Sequence, residues 1–477
     1  MANGQNTGTQ YPRYPTDFNL KALNLITPLQ GNGVVNLMPF MLELNLFEDI
    51  YSSTISGQVV LNDSLGLISH YYLNGTESIQ VQLQKTTGDS QYISRNYRVY
   101  KISKRSTSDS NDYEVYVLNF CSEEFLLSEQ YRVSKAFKGT QIHNIVIDIL
   151  TNYVKTTKNL DWDITSGVYD FVLPNKKLFE TINWLSTYAM TSINSGADML
   201  FYENNDGYHF KSLQKLYSQK AYQTFKFDPK NTSTTNIQQQ LTNVLEFEVL
   251  DFFDTLGAIS NGTFANKVIT IDPLLRKYDT TTGVFNYQTY FNSAQSLNKY
   301  PVTNTGAGYQ NRHGKAMYED VPTSNPPGLE MGTLRMASSN SNEKKNTYVA
   351  QRPDAVANDI FISKYLPLRV AQLGLANYMR VKVTVAGDPL LSAGRTVNLN
   401  IYQIDPTVYS QSGANATREL DPFYSGKYLI SAVRHIVKNN SYITIMELAK
   451  DSVGAAYPAF NNTDSAVKQL TSGIQVK

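Results

Sequence analysis

The sequence predicts a mainly β protein that carries an α+β insertion and contains a duplicated β-barrel. Three observations indicate this fold class. Two strand–turn–strand segments near opposite ends of the chain are alike, helical patterns are concentrated between residues 126 and 220, and turn signals separate short strands elsewhere. At 477 residues the chain is long enough for several domains.

The two similar segments are NYRVYKISKRSTSDSNDYEVYVLNFCSEE, residues 96–124, and SGKYLISAVRHIVKNNSYITIMELAKDS, residues 425–452. In each, the second strand opens on a tyrosine, Tyr113 or Tyr442. The apolar positions taken as the alternating face are Val115, Val117 and Phe120 in the first segment and Ile443, Ile445 and Leu448 in the second. The likeness favours a duplicated barrel with other material inserted between the copies, although two unrelated amphipathic hairpins could share this pattern.

Composition narrows the function classes. Lys plus Arg is 42 against 41 for Asp plus Glu, so no net field favours DNA or an anionic membrane. Charged residues make up 17%, below the average of about 25%, and 33 tyrosines stand among many amides and hydroxyls. Tyrosine combines an apolar ring with a hydrogen-bonding hydroxyl, so it suits partly hydrated contact surfaces. We therefore favour a protein that forms protein interfaces over a β protein without a large partner.

Changes in composition and hydrophobic periodicity divide the chain into six parts. The predicted parts are a flexible arm at 1–19, a first barrel at 20–125, an α+β insertion at 126–220, an irregular mixed β region at 221–374, a second barrel portion at 375–453 and a tail at 454–477. The segment SLGLISHYYLNG, residues 64–75, is compatible with a short helix or a loop. Residues 291–355 form a long stretch without periodicity.

The α+β insertion has three local signals. Thr140 is predicted to cap a helix, and Leu178, Ile182, Leu185 and Ala189 are predicted to share one face of a second helix. The sequence MLFYENNDGYHFKS that follows predicts a hairpin with its turn at Asn-Asn-Asp-Gly.

No catalytic or metal-binding constellation is evident. The five histidines lack partners at metal-ligand spacing, and no P-loop, nucleophile elbow or Rossmann glycine motif is present. The acidic pairs Glu123–Glu124, Asp161–Asp163 and Glu246–Glu248 leave a glycosidase formally open, but adjacent acids are far commoner than catalytic pairs. We expect no enzyme activity and no cofactor.

The cellular compartment is predicted from sequence features that the chain lacks. Cys121 is the single cysteine, so no internal disulfide can form. The start lacks the pattern of a signal peptide, and no apolar run reaches the length of a membrane span. We expect the chain to fold in a reducing cytoplasm.

An ordered set of motifs resembles the baseplate central hub proteins of contractile-tailed, T-even-like phages, and more distantly the late-control D and type VI spike families. The motifs are FEDIYSSTISGQVVLNDSLGLI at residues 47–68, LPNKKLFETINWLSTYA with MLFYENNDGYHFKSL at 173–213, and VAGDPLLSAGRTVNLNI, SGKYLISAVRHIV and YITIMELAKDS toward the end. The set covers about half of the chain, and residues 278–365 depart from the family pattern.

The resemblance implies two tube-like β-barrel domains in each chain and a homotrimer that forms a pseudo-six-fold ring. It further implies a spike protein on one side, the tail tube and other baseplate proteins as neighbours, and a lumen through which DNA passes without specific binding. The implied location is the virion baseplate after assembly in the host cytoplasm. A carbohydrate-binding or receptor-binding tail protein is the alternative, since Tyr, Asn, Ser and Thr also suit sugars.

The strand SGKYLISAVRHIV is the predicted barrel and interface strand. Strict alternation places Tyr428 and Ile430 on one face and Leu429 and Val433 on the other, with Gly426 allowing a bend before the strand. If Ile430 faces the barrel core, Leu429 faces a neighbouring subunit or element. On that assignment Leu429→Asp should leave a folded chain that assembles poorly.

Overall fold

A computed structural model describes the fold. The described residues are 14–28, 33–85, 92–107, 112–191, 196–227, 240–272, 277–279, 284–291, 294–302, 333–336, 362–402 and 420–454. About half of these residues are in strands, and thirteen strands form one large sheet. The predicted mainly β fold class is confirmed.

The N-terminal part is a run of antiparallel strands. Its elements are β1 (Phe18–Thr27), β2 (Gly33–Asn36), a 3₁₀ turn (Met38–Phe40), β3 (Met41–Asp49), β4 (Ser56–Asp63), α1 (Leu67–Tyr71), β5 (Ser78–Lys85), β6 (Tyr92–Thr107) and β7 (Glu114–Ser122). Burial alternates with a period of two along β4 and β5, as expected for strands with one face on a core. The segment left open between helix and loop contains the short helix α1.

A mixed α+β unit follows. Its elements are α2 (Glu123–Gln130), β8 (Arg132–Val133), β9 (Ala136–Thr140), α3 (Ile142–Asp148), a π turn (Ile149–Val154), β10 (Asn159–Trp162), β11 (Tyr169–Val172), β12 (Lys176–Lys177), α4 (Leu178–Ser186), β13 (Met199–Asn204), β14 (Gly207–Ser212) and α5 (Leu213–Tyr217). The predicted shared face of α4 is buried, and the β13–β14 hairpin forms as predicted. The prediction for Thr140 is wrong: it ends β9, and Gln141 precedes α3 without a side-chain cap.

The C-terminal part contains the second set of sheet strands. These are β15 (Thr224–Phe227), β16 (Val244–Phe252), β21 (Met379–Ala386), β22 (Thr396–Ile401), β23 (Gly426–Lys438) and β24 (Ser441–Lys450). Between β16 and β21 lie α6 (Thr255–Ser260), β17 (Ala265–Asp272), β18 (Lys277–Asp279), β19 (Val284–Asn286), α7 (Tyr287–Phe291), β20 (Thr333–Met336) and α8 (Ile362–Ala376). Most of residues 278–365, where the family pattern fails, lies outside the described residues.

The two strand sets have the same order. In the first set the neighbours run β3-β4-β7-β6-β5-β1, and in the second they run β16-β21-β24-β23-β22-β15. Five strands therefore correspond in both chain order and pairing. The sixth differs, because β1 is antiparallel to β5 whereas β15 is parallel to β22. This correspondence supports the duplication that the two hairpin sequences indicated.

The second strand set closes on itself, and the first closes through the end of the β23–β24 hairpin. In the second set, Lys226 of β15 bridges Asn243 just before β16, and the Lys226 amide donates to the Thr242 carbonyl at 2.9 Å. In the first set, the Tyr442 amide donates to the Thr16 carbonyl at 2.9 Å, which brings the β23–β24 hairpin against the start of β1. The end of this hairpin thus completes the first barrel while its body belongs to the second.

Each barrel has its own apolar core. Tyr116, Leu118 and Phe120 of β7 are fully buried in the first core, as are Met446 and Leu448 of β24 in the second. The prediction that Val115, Val117, Ile443 and Ile445 share the core face is wrong, since 117 to 120 and 445 to 448 are odd steps and a strand reverses its face at every residue. The bounds of the six predicted parts remain predictions.

Candidate functional site

The strand β23 runs through both barrels. Its first part pairs with β22, where Leu429 lies opposite Thr396, and its last part pairs with β3, where Ala432 lies opposite Asp49. The change of partner occurs at Ser431, where the register with β24 also shifts by one residue. The Ser431 carbonyl accepts the Ile50 amide at 2.9 Å, and its hydroxyl donates to the Glu447 carbonyl at 3.0 Å. A β-bulge therefore marks the junction between the barrels.

Three of the predicted strand residues lie in the second barrel core. Tyr428, Ile430 and Val433 are all buried in one apolar cluster, and the Tyr428 hydroxyl donates to the Tyr424 carbonyl at 2.5 Å. The Lys450 ammonium lies 4.6 Å from the Tyr428 ring centroid, and burial lowers the pKa of Lys450 to about 7. Strict alternation placed Val433 on the opposite face, which is wrong because the bulge at Ser431 reverses the phase of the strand.

Leu429 faces a different part of the same chain. It is buried with Leu200 and Tyr202 of β13 and with Leu213 and Leu216 of α5. The α+β unit therefore covers the second face of this strand, which explains why both of its faces are apolar. The expectation that Leu429→Asp leaves a folded chain does not fit this burial.

Gly426 begins β23 with a left-handed φ of +133°. A side chain there would place its Cβ 2.7 Å from the Asn298 amide oxygen, which accepts the Lys427 amide at 2.9 Å. The Asn298 side chain also donates to the carbonyls of Lys427 and Ser452. The glycine thus allows the strand to start against this asparagine, in the place where a bend was predicted.

A buried carboxyl group joins the barrels and the α+β unit. Glu48 of β3 accepts the Asn205 amide at 3.1 Å through one oxygen and the Ala393 amide at 3.0 Å through the other. Asn205 lies in the β13–β14 turn, and Ala393 precedes β22. Burial outweighs these hydrogen bonds and raises the pKa of Glu48 to about 8.

A second buried carboxyl lies beside it on β13. Glu203 accepts the Ile55 amide at 3.0 Å, the Ser122 hydroxyl at 2.9 Å and the Lys158 ammonium at 2.6 Å. Its neighbour Asn204 donates to the Ala393 carbonyl at 2.9 Å. The turn of the β13–β14 hairpin therefore lies between the two barrels and bonds to both. The isolated glutamate in the apolar run MLFYEN was the sequence signal for this contact, and the sequence reasoning did not use it.

The acidic pairs considered for hydrolysis have structural partners. Glu123 bonds to Arg98, and Glu124 accepts the Lys158 ammonium at 2.6 Å. Asp163 accepts the Ser212 amide and hydroxyl. Asp161 pairs with Lys211. These carboxylates are engaged in joining elements.

Other chemistry is sparse in the described part of the chain. There, no group of three or more His, Cys, Asp or Glu side chains is placed to hold a metal ion. His435 is fully buried, the Tyr442 hydroxyl lies 2.8 Å from its Nδ1, and burial lowers its pKa to about 4. Cys121 is a buried free thiol. Among these same residues, no helix combines the length and apolarity that a membrane span needs.

One face of the continuous sheet carries ion pairs across the barrel junction. Arg434 of β23 donates to the Asn45 amide oxygen at 2.9 Å, and Lys438 pairs with Glu43 of β3 at 3.0 Å. Further along the sheet, Lys382 of β21 pairs with Glu248 of β16 at 2.8 Å. Glu43 of β3 and Glu248 of β16 are thus matched by cations on the adjoining strands.

Comparisons with known proteins agree with the resemblance to baseplate hub proteins that the motifs indicated. No protein family model matches the chain. A curated relative, named probable baseplate hub protein gp334 of Vibrio phage KVP40, is 23% identical over 413 residues, which cover 85% of this chain and 89% of the relative.

Solved structures of similar architecture include two bacterial tail proteins. A tail protein from Neisseria meningitidis MC58 has 9% identity and a TM-score of 0.49, and covers 90% of this chain and 96% of its own. A 43 kDa tail protein of prophage MuSo2 from Shewanella oneidensis has 8% identity and a TM-score of 0.48, and covers 91% of this chain and 99% of its own. The resemblance of this chain to the baseplate hub proteins of phages, which its ordered motifs indicated, is confirmed by the curated relative that matches it over most of its length.

Proposed function

We propose that this protein is a structural hub of a contractile phage tail baseplate. The observation that carries the proposal is a pair of barrels with the same strand order joined in one sheet, in a chain that matches a curated baseplate hub protein over 85% of its length. The protein acts by shape and contact and has no catalytic role. It is located in the virion baseplate after assembly in the host cytoplasm.

The two barrels suit a symmetry adaptor. A homotrimer presents six similar barrels, so one end of it matches a six-fold tube while its subunits retain the three-fold symmetry of a spike. The shared strand β23 and the buried carboxyls of Glu48 and Glu203 hold the barrels of each chain in a fixed relation, which such a ring requires. The partners are the spike protein, the tail tube protein and other baseplate proteins.

A ring of this kind encloses a channel. The chain carries a formal net charge of +1, and the cations Lys438, Arg434 and Lys382 on this sheet are paired with Glu43 or Glu248. A surface without a strong positive field lets DNA pass without holding it. We therefore assign the lumen to DNA passage without specific binding.

Mass and shape test the proposal. Light scattering of the purified chain, alone and with the spike protein of the same tail, should give three copies per particle, and negative-stain images should show rings. A monomer under both conditions, or elongated fibres, would contradict the hub assignment. Clearing of peptidoglycan or polysaccharide that Glu203→Gln abolishes would instead show an enzyme.

A carbohydrate-binding role has one observation in its favour. Trp162 is 43% exposed beside a groove of about 360 Å³ that Asp163, Lys215 and Gln295 also line. Exposed tryptophans commonly stack on sugar rings, but Asp163 is already used by Ser212. Binding of host polysaccharide by the parent protein that is lost in Trp162→Ala, while this variant assembles as the parent does, would favour this alternative.

A further inference from the structure

A second groove adjoins the one beside Trp162. It has a volume of about 270 Å³ and lies between the α+β unit and the second barrel, since His209 of β14 and Arg395 before β22 both line it. Asp161 and Lys211, which form an ion pair, line both grooves. The two grooves therefore meet at this ion pair, and we call them together the β14 cleft.

One nitrogen of a buried histidine in this cleft has no hydrogen-bond partner among the described residues. His209 is 7% exposed, and its ring stacks on Tyr202 with the ring centroids 4.9 Å apart. Its Nε2 lies 2.7 Å from the Asn204 amide oxygen, whereas its Nδ1 makes no hydrogen bond. The Nδ1 atom lies 3.6 Å from the Asp161 carboxylate, which also lines the cleft. A buried polar atom left in this way requires an explanation.

The hydrogen bonds of Asn204 fix the tautomer of His209. The side-chain oxygen of Asn204 accepts the Asp206 amide at 2.8 Å. Its side-chain nitrogen donates to the Ala393 carbonyl at 2.9 Å. The oxygen therefore faces His209 Nε2, which donates to it, and in the neutral ring Nδ1 carries a lone pair. This lone pair and the Asp161 carboxylate are both acceptors, so the space between them suits a group that donates hydrogen.

The groove also offers positive charge. Three lysine or arginine side chains line it, against two carboxylates. Arg395 pairs with Asp206 at 2.8 Å, and Lys211 pairs with Asp161. Lys220 is exposed at the groove and has no acidic side chain within 4 Å among the described residues. The groove therefore has one more cation than it has acids to pair with, which favours an anionic ligand.

We propose that the β14 cleft binds an anionic saccharide. A sugar hydroxyl both donates and accepts hydrogen bonds, so it can donate to His209 Nδ1 or Asp161 and accept from Lys211. The anionic group of the sugar pairs with the Lys220 ammonium. A ligand that carried charge without hydroxyls would leave the histidine lone pair without a donor.

The cleft has an aromatic ring in each of its two grooves. Trp162 is 43% exposed in one groove, and Tyr222 is 36% exposed in the other. Such rings present an apolar face beside polar groups, which suits the C–H face of a sugar ring. The inference goes beyond the hub function and does not depend on it, because the cleft is formed within one chain. It extends the sugar contact considered for Trp162 to a second groove and to charged sugars.

Three ligands separate the contributions of charge and hydroxyls. A trisaccharide of galacturonic acid carries both, galactotriose carries hydroxyls alone, and a triglutamate peptide carries carboxylates alone. In calorimetry on the full-length protein, the acidic trisaccharide should bind about tenfold more tightly than either of the others. Equal binding of triglutamate would indicate a site for acidic peptides, and equal binding of galactotriose would remove the role of charge. Either result, or no binding of the acidic trisaccharide at millimolar concentration, would overturn the proposal.

Two variants assign the contacts. Lys220→Gln removes the cation at an exposed position and should weaken binding of the acidic trisaccharide by about tenfold. His209→Phe keeps a ring against Tyr202 but lacks the Nδ1 acceptor, and should weaken binding of both saccharides by about the same factor. Lys138→Gln removes the same charge from an exposed position elsewhere on the α+β unit and should bind as the parent does. An unchanged affinity in Lys220→Gln or in His209→Phe would overturn the contact assigned to that residue and the site with it.

The state of assembly, measured on the same samples, separates this inference from the hub function. A parent protein that forms trimers and does not bind the acidic trisaccharide keeps the hub function and loses the inference. A parent that binds the trisaccharide and stays monomeric, even with the spike protein, keeps the inference and loses the hub function.

Discussion

The two barrels share their core geometry and differ in what covers their outer faces. Tyr97 and Val99 of β6 occupy the places of Tyr428 and Ile430 of β23, and all four are buried in their own barrel core. Between them lies Arg98 in the first barrel, which reaches Glu123 at 2.8 Å near the surface. Its counterpart, Leu429, is buried under the α+β unit. The inward positions are buried in both barrels, and the outward ones differ with the neighbour that covers each barrel.

The largest effect should come from a charge in either core. Ile430→Asp and Val99→Asp each bury a carboxylate without a partner, so each should cost on the order of 4–5 kcal/mol and reduce the yield of folded protein. Circular dichroism and size-exclusion chromatography measure this loss. Val172→Asp, on a strand position that is 70% exposed, is the control and should fold normally. A well-folded Val99→Asp beside a misfolded Ile430→Asp would show that the two cores are not equivalent.

The outward positions should respond unequally. Leu429→Ala opens a cavity between the second barrel and the α+β unit and should lower the free energy of unfolding by about 3 kcal/mol. Arg98→Ala removes a partly exposed ion pair and should cost less than about 1 kcal/mol. Chemical denaturation of both variants compares them directly. Equal losses would mean that Leu429 does not support the junction as its burial indicates.

The same comparison shows what the sequence could predict. Alternation identified β23 and placed Ile430 in a core, because this pattern repeats over several residues, and the Asn-Asn-Asp-Gly turn signal located the β13–β14 hairpin. It failed after Ser431, since a single bulged residue leaves no mark in the apolar pattern but reverses every later side chain. It also could not show that Leu429 meets α5, which requires knowing how distant segments pack. The buried Glu48 was missed because a lone acid in a strand is ordinarily exposed.

The barrel junction should also respond to pH. Burial raises the pKa of Glu48 from its ordinary value of 4.5 to about 8 in the folded chain, so the unfolded chain releases this proton first. Its contribution is therefore fully present below about pH 4.5 and is lost as the pH rises toward 8. Between pH 6 and pH 8, Glu48→Gln should reduce this fall in stability by about 2 kcal/mol relative to the parent.

Denaturation curves at the two pH values provide the test, with Glu43→Gln as the matched control. Glu43 lies at the more open end of the same strand, and its hydrogen bond with Asn45 lowers its pKa, so its titration lies well below this window. An unchanged pH slope in Glu48→Gln would show that this carboxyl is ionised throughout the range and that its two amide donors outweigh burial.

The smallest effect should arise where the barrels differ in backbone conformation. Gly426 corresponds to Arg95 of β6, which carries a side chain and is absent from the residues with positive φ. The left-handed φ of Gly426 and its nearness to Asn298 are thus specific to the second barrel. Gly426→Ala should lower the free energy of unfolding by about 1 kcal/mol, from backbone strain together with displacement of the asparagine.

Combining Gly426→Ala with Asn298→Ala separates these two causes, because the clash disappears while the strain remains. If the alanine costs as much in the Asn298→Ala background as in the parent, backbone strain is the whole effect. If it costs nothing there, the strand starts at this asparagine because of space alone, and the two barrels differ less in backbone than in packing.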